Sequence, residues 1–486
     1  VETLPNIADA AGLRAADRAA LIDLLDVARA RAARNALRTA YYDEEVEPPD
    51  IGVSNVPEGV GAHVPSGWPR KAVTAVAERS RFDGFVFADG EGDPSLDRVV
   101  RDNALVDAYR RHAPSELKHG CMFATVGRCA GRAIVRFHTA EQASGLWDEG
   151  AGRLGAGLVV ADRRRTAWSR TRPQPVRANL HMPGYVVALD RVSQVRWRAE
   201  YLPLPIDRPM MEAFAFRADG GRPFGASRIT RSVMAIADEA MRLFRYLSVA
   251  AAFYSVPMRA FLGLTEEQFD AMSGDKWRWL MNSVFLAERG GNGEVPQAVQ
   301  LAAASPQPLV EQFRIYAQQF SAETGVPLNS LGVTTENPSS AQAIAAARED
   351  ICIAADDLNT SNKVALRNVA LMAMCVEGDC PVEGLTERQL SVGAHFRDPS
   401  MPSVVSQTDA ATKLAAACPG FADTDVFWEM CGFSQEDIAR IQSQKSQSAG
   451  LAALRERRAA ADGAGNQGQA AGLRRGDSGG GGGGGL

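Results

Sequence analysis

Leu21, Leu24, Leu25 and Ala28 recur at helical spacing, with Asp17, Asp23 and many arginines assigned to the opposite face. That pattern predicts one long helix over residues 13 to 42, ended by Pro48 and Pro49. Ala72, Val73, Val76 and Ala77 predict a second helix after Trp68-Pro69, and a third is expected near Asn103 to His112. From about Cys121 to Phe216 the pattern changes to β-branched and aromatic runs: AIVRFH (133 to 138), GLVVAD (157 to 162), GYVVALD (184 to 190) and VRWRAEYLPL (195 to 204). Turn residues separate these runs, so they predict antiparallel hairpins.

GGRPFGASRI (220 to 229) marks a boundary. Residues 227 to 255 contain neither Gly nor Pro apart from the flanking Pro257, and predict one helix of roughly 43 Å. It should end at Ser255-Val256-Pro257, because the residue before proline avoids helical dihedrals. An insertion over about 257 to 303 carries Trp277, Trp279 and the loop RGGNGEVP (289 to 296). Its flanking helices, the second over about 308 to 324, could run antiparallel and bring its ends together. That second helix stops at Gly325-Val326-Pro327 and is followed by the irregular loop LNSLGVTTENP (328 to 338).

ENPSSAQAIAAAREDICIAADDLN (336 to 359) then opens a long helix reaching about Val376. Ser339 with Gln342 forms an S-x-x-Q capping box, and Pro338 blocks backward extension. Ile344, Ile351 and Leu358 form an apolar stripe, and Ala341, Ala345, Cys352 and Ala355 form a small-residue stripe that permits close helix approach. Glu349, Asp350, Asp356 and Asp357 are expected to face water. Taken locally, this is a well-capped helix of an ordinary α domain. A strand-like piece, LSVGAHF (390 to 396), precedes two short helices ending near Ser448. Residues 449 to 486, rich in Ala, Gly, Gln and Arg, are expected to be disordered because they cannot bury enough apolar area.

Composition narrows the function classes. The chain has 486 residues, 45% hydrophobic and 23% charged, so it can support a sizeable core over more than one region. A net charge of −5 argues against a globally basic nucleic-acid binder. The seven cysteines, odd in number and without C-x-x-C spacing, predict a reduced compartment. VETLPNIADAAG shows no apolar signal core, and the run Val369 to Val376 is too short to span a bilayer.

Several pieces resemble, in order, the portal proteins of tailed double-stranded-DNA bacteriophages, in the form common among actinobacterial phages. RPFGASRITRSVMAIADEAMRLFRYLSVAAAFYSVPMRAFLGL (222 to 264) is similar to that family's first stem helix and its exit toward the clip. SPQPLVEQFRIYAQQFSAETGVPLNSLGV (305 to 333) is similar to the second stem helix and the approach to the tunnel loop. ENPSSAQAIAAAREDICIAADDLN resembles the helix after that loop, and AHFRDPSMPSVVSQTDAATKLAAA (394 to 417) the segment leading into the crown. The match is best over about 220 to 440.

The resemblance implies an α+β portal fold. Its regions would be a wing (1 to 226), stem helix 1 (227 to 256), clip (257 to 303), stem helix 2 (304 to 325), tunnel loop (326 to 338), long helix (339 to 378) and crown (379 to 448). It implies a homo-oligomeric ring of about twelve subunits at one capsid vertex. Double-stranded DNA would pass through it during packaging and ejection, without sequence preference. Implied partners are the terminase large subunit, head-completion and adaptor proteins, and the major capsid and scaffolding proteins, with assembly in the host bacterial cytoplasm. No membrane and no cofactor are implied. Thr334, Thr335, Glu336 and Asn337 would form the tunnel loop, and Trp277, Arg278 and Trp279 the docking surface of the clip. Those tryptophans could equally be the core of a small insertion.

The signatures of an enzyme are missing or out of context. No Gly-Lys pair is present, so no P-loop can be written, and Gly155-Ala156-Gly157 reads as a hairpin turn. GDSGG (476 to 480) matches G-x-S-x-G, but Ser478 sits in a glycine tail rather than a strand–turn–helix. His63, His112, His119, His138, His181 and His395 show no zinc spacing. The basic candidate is ADRRRTAWSRTRPQPVR (161 to 177), with Arg163, Arg164 and Arg165 near Trp168. It could bind nucleic acid by phosphate contact and stacking, form a subunit contact, or be a solvated hairpin. Two further readings stay open: a nuclease whose carboxylates converge only in the fold, and a monomeric nucleic-acid-binding adaptor.

Overall fold

The structure is a computed structural model. It describes residues 4–47, 64–90, 92–166, 169–254, 259–262, 297–300, 305–333, 348–400, 404–433, 437–438 and 440–447. The chain divides into two compact units, Val1–Met401 and Pro402–Leu486.

Helix α1 (Ala15–Tyr42) follows the predicted apolar stripe, with Leu21 and Leu24 fully buried. It lies on a five-stranded antiparallel meander in the order β4-β5-β6-β7-β8. These strands are β4 (Ala143–Asp148), β5 (Arg153–Thr166), β6 (Ser169–Met182), β7 (Tyr185–Arg191) and β8 (Trp197–Pro203). The inward side chains Leu158, Val160, Leu180, Val187 and Leu189 form one core with Leu21, Leu24 and Leu25. Alternation with period two puts each of these on the helix-covered face.

Asp17 departs from its expected place on the wet face. It is 1% exposed. Tyr185 Oη and Tyr201 Oη each donate to its carboxylate at 2.6 Å. Arg14 stacks on the Tyr201 ring at 4.1 Å. The helix period could not reveal this, because the two tyrosines arrive from strands more than 160 residues away. Asp17→Ala removes the acceptor of both hydroxyls. Bonds to a charged acceptor are the stronger kind, so we expect a loss of about 1–3 kcal/mol, measured from urea unfolding midpoints.

The helix predicted near Asn103 to His112 forms as a longer one, and a further helix that the pattern did not flag precedes it. α3 (Pro94–Asp102) starts at Asp93, whose side chain accepts from the Ser95 and Leu96 amides. α4 (Leu105–His119) follows after Ala104, which is left-handed with φ 45°. That backbone reversal breaks the run in a place that hydrophobic spacing does not show. α2 (Trp68–Ala77) forms as read, with Ala72, Val73 and Val76 fully buried.

A three-stranded sheet, in the order β3-β2-β9, joins β2 (Cys121–Cys129), β3 (Arg132–Thr139) and β9 (Met211–Ala215). Its core face is covered by α4 and by the long helix α7 (Glu349–Gly378). Ile351, Ala355 and Leu358 are buried and Glu349, Asp350, Asp356 and Asp357 exposed, as the pattern required. The stretch of that helix before residue 348, with the Ser339–Gln342 capping box, lies outside the described residues. Strand β1 (Phe82–Val86), which the pattern did not flag, pairs antiparallel with β12 (Gly393–Phe396).

α5 (Arg231–Tyr254) begins four residues later than the uninterrupted pattern suggests. Ser227 Oγ accepts from the Ile229 amide at 2.9 Å and Thr230 Oγ1 from the Val233 amide at 3.2 Å. The Ser227 hydroxyl holds a turn ahead of the helix, and the Thr230 hydroxyl caps the α5 N-terminus. Just before it, Gly225 sits at φ +65°, where a Cβ would meet Phe216 O at 2.3 Å and Gly120 O at 2.7 Å. Only glycine lets the three backbone segments cross there.

α5 packs against α6 (Gln307–Thr324), with Phe244 and Phe313 ring centroids 5.2 Å apart. Between them β10 (Arg259–Leu262) pairs antiparallel with β11 (Gln297–Gln300), so the two ends of the insertion meet. Residues 263 to 296 between these strands lie outside the described residues.

The second unit holds α9 (Val404–Ala417) and α10 (Asp425–Met430), after the one-turn α8 (Glu387–Leu390) in the first unit. Phe427 and Trp428 stack edge-on at 5.3 Å, as do Trp428 and Phe433 at 5.6 Å. The stretch expected to be disordered, 449 to 486, lies outside the described residues. All seven cysteines are free thiols. Among the described residues no helix is long and apolar enough to cross a membrane.

Candidate subunit and nucleic-acid interface

Three surface regions carry the chemistry. The first is the pair α5 and α6. In α5, Val233, Ala237, Ala240, Met241 and Leu243 are buried, but residues 244 to 251 contain no buried position. In α6, nothing before Ala317 is buried, although Leu309, Val310, Phe313, Ile315 and Tyr316 are apolar or aromatic. Ile315 is 51% exposed. Two helices can cover only one face of each other, so these distal halves keep apolar surface in water. α7 adds Ile353 and Val364, 52% and 61% exposed and three turns apart on one face.

The second region is the basic hairpin of β5 and β6. Arg163, Arg164 and Arg165 are exposed on β5. Arg164 Nε is held by Asp162 Oδ2 at 2.6 Å, and Arg177 grips Asp190 through two bonds at 2.5 and 2.8 Å. Arg163 instead lines a cleft of about 770 Å³ with Arg111, Arg132, Arg136, His112 and His138. Arg132 is paired with Asp102 at 2.9 Å and Arg111 with Asp107 at 3.0 Å, so this cleft is largely charge-compensated. Trp168 lies outside the described residues, and so do Thr334, Thr335, Glu336, Asn337, Trp277, Arg278 and Trp279. The described anchors of the 334 to 347 stretch are the turn Leu328–Leu331, with Leu331 buried, and the start of α7.

The third region was only half visible in the sequence. Arg31, Arg34 and Arg38 recur at helical spacing on α1 and line a cavity of about 600 Å³. Arg222 and Arg231 line it from the segment that leads into α5. The spacing of the first three was legible; the approach of the other two, nearly 200 residues away, was not. Arg31 stacks on Phe224 at 4.9 Å, and Arg38 Nη1 donates to the His119 carbonyl at 3.0 Å. Burial, and then the charge of Arg34, lowers the Arg38 guanidinium to about 10. Burial holds His119 neutral, its pKa lowered to about 3.

Behind these surfaces lies a buried polar network. Ser80 Oγ donates to Asn359 Oδ1 at 2.6 Å and lies 2.7 Å from Tyr109 Oη. Asn362 Nδ2 donates to Tyr109 Oη and to Glu116 Oε2, each at 2.8 Å. Glu116 is fully buried, and burial pushes its carboxyl up to about 8. The network ties the turn after α2 to α4 and α7, and its side chains are buried. Among the described residues no group of three or more His, Cys, Asp or Glu is placed to hold a metal ion.

No family model matches the chain. It is 26% identical over 399 residues to the portal protein of Mycobacterium phage L5, covering 78% of each chain. The chain is thus similar to phage portal proteins. The portal protein of Mycobacterium phage D29 gives the same picture, 26% identical over 393 residues, covering 77% of this chain and 78% of that portal protein. Among solved structures, the neck of an empty gene transfer agent particle computed with C6 symmetry aligns with a TM-score of 0.41 at 14% identity. That alignment covers 74% of this chain and 88% of the neck chain. The neck of the native particle, computed with C12 symmetry, gives 0.38 at 14% identity, covering 75% and 89%. The similarity to portal proteins agrees with the resemblance read from the sequence.

Proposed function

We propose that the chain is one subunit of a portal ring at a capsid vertex, forming the channel for DNA packaging and ejection. The observation that carries this is similarity over 78% of the chain to a protein named portal protein. The uncovered apolar halves of α5 and α6 support it. In a closed head-to-tail ring each subunit's exposed helix face is covered by the next, which removes that surface from water. In this reading α5 and α6 are the stem, the insertion between them is the clip, residues 1 to 226 are the wing and residues 379 to 448 the crown.

Thr334, Thr335, Glu336 and Asn337 then face the DNA in the tunnel. Trp277, Arg278 and Trp279 offer aromatic and guanidinium anchors for the terminase large subunit and later for head-completion proteins. Arg163, Arg164, Arg165 and Trp168 lie at a subunit or nucleic-acid contact. A net charge of −5 suits a conduit, since each neutralised phosphate would add grip and slow passage.

The test is the mass of the purified protein with negative-stain images of the same sample. Twelve copies of the 52.0 kDa chain give about 620 kDa and an annulus with a central hole. A monomer that cleaves DNA with a divalent metal would overturn the reading in favour of a nuclease. Shortening the 334 to 337 loop is expected to leave the ring intact and to lower packaged DNA per particle, read by quantitative PCR of nuclease-treated heads. Unchanged DNA content would remove the loop from that role.

A further inference from the structure

We propose that the cavity between α1 and the segment 221 to 231 is a binding site for a phosphate-class oxyanion. Five guanidinium groups, Arg31, Arg34, Arg38, Arg222 and Arg231, line it, and no carboxylate does. Among the described residues Arg31, Arg34, Arg222 and Arg231 have no carboxylate within 4.0 Å. Placing Arg31, Arg34 and Arg38 on one helix face opposes their like charges, which by itself disfavours the helix. A bound anion reverses the sign of that interaction.

The lining of the cavity supplies a second observation. His119 is 5% exposed, lines the cavity, and has no hydrogen-bond partner on either ring nitrogen. Its nearest carboxylate, Glu141, is 3.9 Å away, beyond hydrogen-bond reach, and already accepts from Thr39. Arg38 Nε is likewise buried without a partner. Buried polar atoms left unpaired are rare, and both of these side chains belong to the wall of the cavity. The neighbouring cleft at Arg163 lacks this character, because aspartates already pair with its Arg132 and border it at Asp162. Guanidinium forks match the oxygens of a tetrahedral oxyanion, and the cavity has room for one phosphate group.

The site goes beyond the ring reading and is tested separately from it. Thermal shift and titration calorimetry on the full chain would use sodium phosphate, with sodium chloride at equal ionic strength as reference. Saturable stabilisation by phosphate is expected, weakened at least tenfold in Arg34→Gln and in Arg222→Gln, both of which are exposed positions. Arg136→Gln in the neighbouring cleft should keep it. A short DNA duplex that competes with phosphate in the wild type, but not in Arg34→Gln, identifies the DNA backbone as the source of the anion. A duplex that does not compete identifies free phosphate. Stabilisation that follows ionic strength alone, or that persists in both variants, overturns the site. The mass of each sample, measured in parallel, reports on the ring independently.

Discussion

Replacing Arg228 with alanine is expected to lower the stability of the first unit by about 3–5 kcal/mol, read as a fall in the urea midpoint at constant slope. Arg228 is 9% exposed. Its Nε donates to the Ala72 carbonyl of α2 at 2.6 Å, and its Nη2 donates to the Thr324 carbonyl at the end of α6. One guanidinium therefore joins α2 to both flanks of the proposed stem. Each bond involves a charged donor and contributes roughly 1.5–3 kcal/mol. The Thr324 carbonyl also belongs to the last turn of α6, where the helix dipole favours a cation. Burial lowers the Arg228 pKa to about 10, so the group stays charged at neutral pH. Arg228→Lys should recover part of the loss, because an ammonium reaches one carbonyl but not both in the fork geometry. A change below about 1 kcal/mol for the alanine variant would show that water replaces the guanidinium without cost.

The second large effect is on pH dependence. Glu116 ionises near 4.5 in the unfolded chain and near 8 in the fold. Between those values the folded state holds a proton that the unfolded state has lost, so stability falls as pH rises from about 5 to 8. Neutral Glu116 also resolves a local mismatch. Its Oε1 and Asn362 Oδ1 are both buried acceptors without partners, and a proton on the carboxyl turns one of them into a donor. Glu116→Gln is neutral at every pH and keeps a donor and an acceptor. We expect it to remove this slope and to stabilise the chain at pH 8 by about 1–3 kcal/mol relative to wild type, with little difference at pH 5. The same difference at both pH values would show that Glu116 is not held protonated.

Three buried histidines act in the opposite direction. Burial lowers His119, His138 and His181 to about 3, 4 and 3. Below pH 6.5 the unfolded chain takes up protons that these side chains refuse, so stability also falls on the acid side. Comparing wild type with Glu116→Gln cancels this contribution and isolates the carboxyl.

Much of the architecture was written in local pattern. The stripe of Leu21, Leu24 and Leu25, the alternation along 157 to 190, and the exposed acids beside buried Ile351 and Leu358 each encode a face. A face needs only the period of the backbone, 3.6 or 2, and that is a property of consecutive residues. The similarity to portal proteins was legible for a related reason: the pieces that resemble that family keep their order along the chain. Element starts were less legible. The left-handed Ala104, the hydroxyl turn at Ser227 and the cap at Thr230 shift helix boundaries through local backbone conformations, which hydrophobic spacing does not encode.

What only the tertiary structure decided are the meetings of distant residues. Asp17 reads as a solvated helix acid until Tyr185 and Tyr201 reach it. Glu116 lies beyond the helix read from the pattern, and its protonated, buried state depends on Asn362 arriving from α7. Arg31, Arg34 and Arg38 read as a wet face until Arg222 and Arg231 close a cavity over them. For Asp17 and the three α1 arginines the sequence determined the position on the helix. The charge state, hydrogen-bond partner and exposure came from elements brought together by folding, because desolvation and electrostatic coupling depend on distance in space and not along the chain.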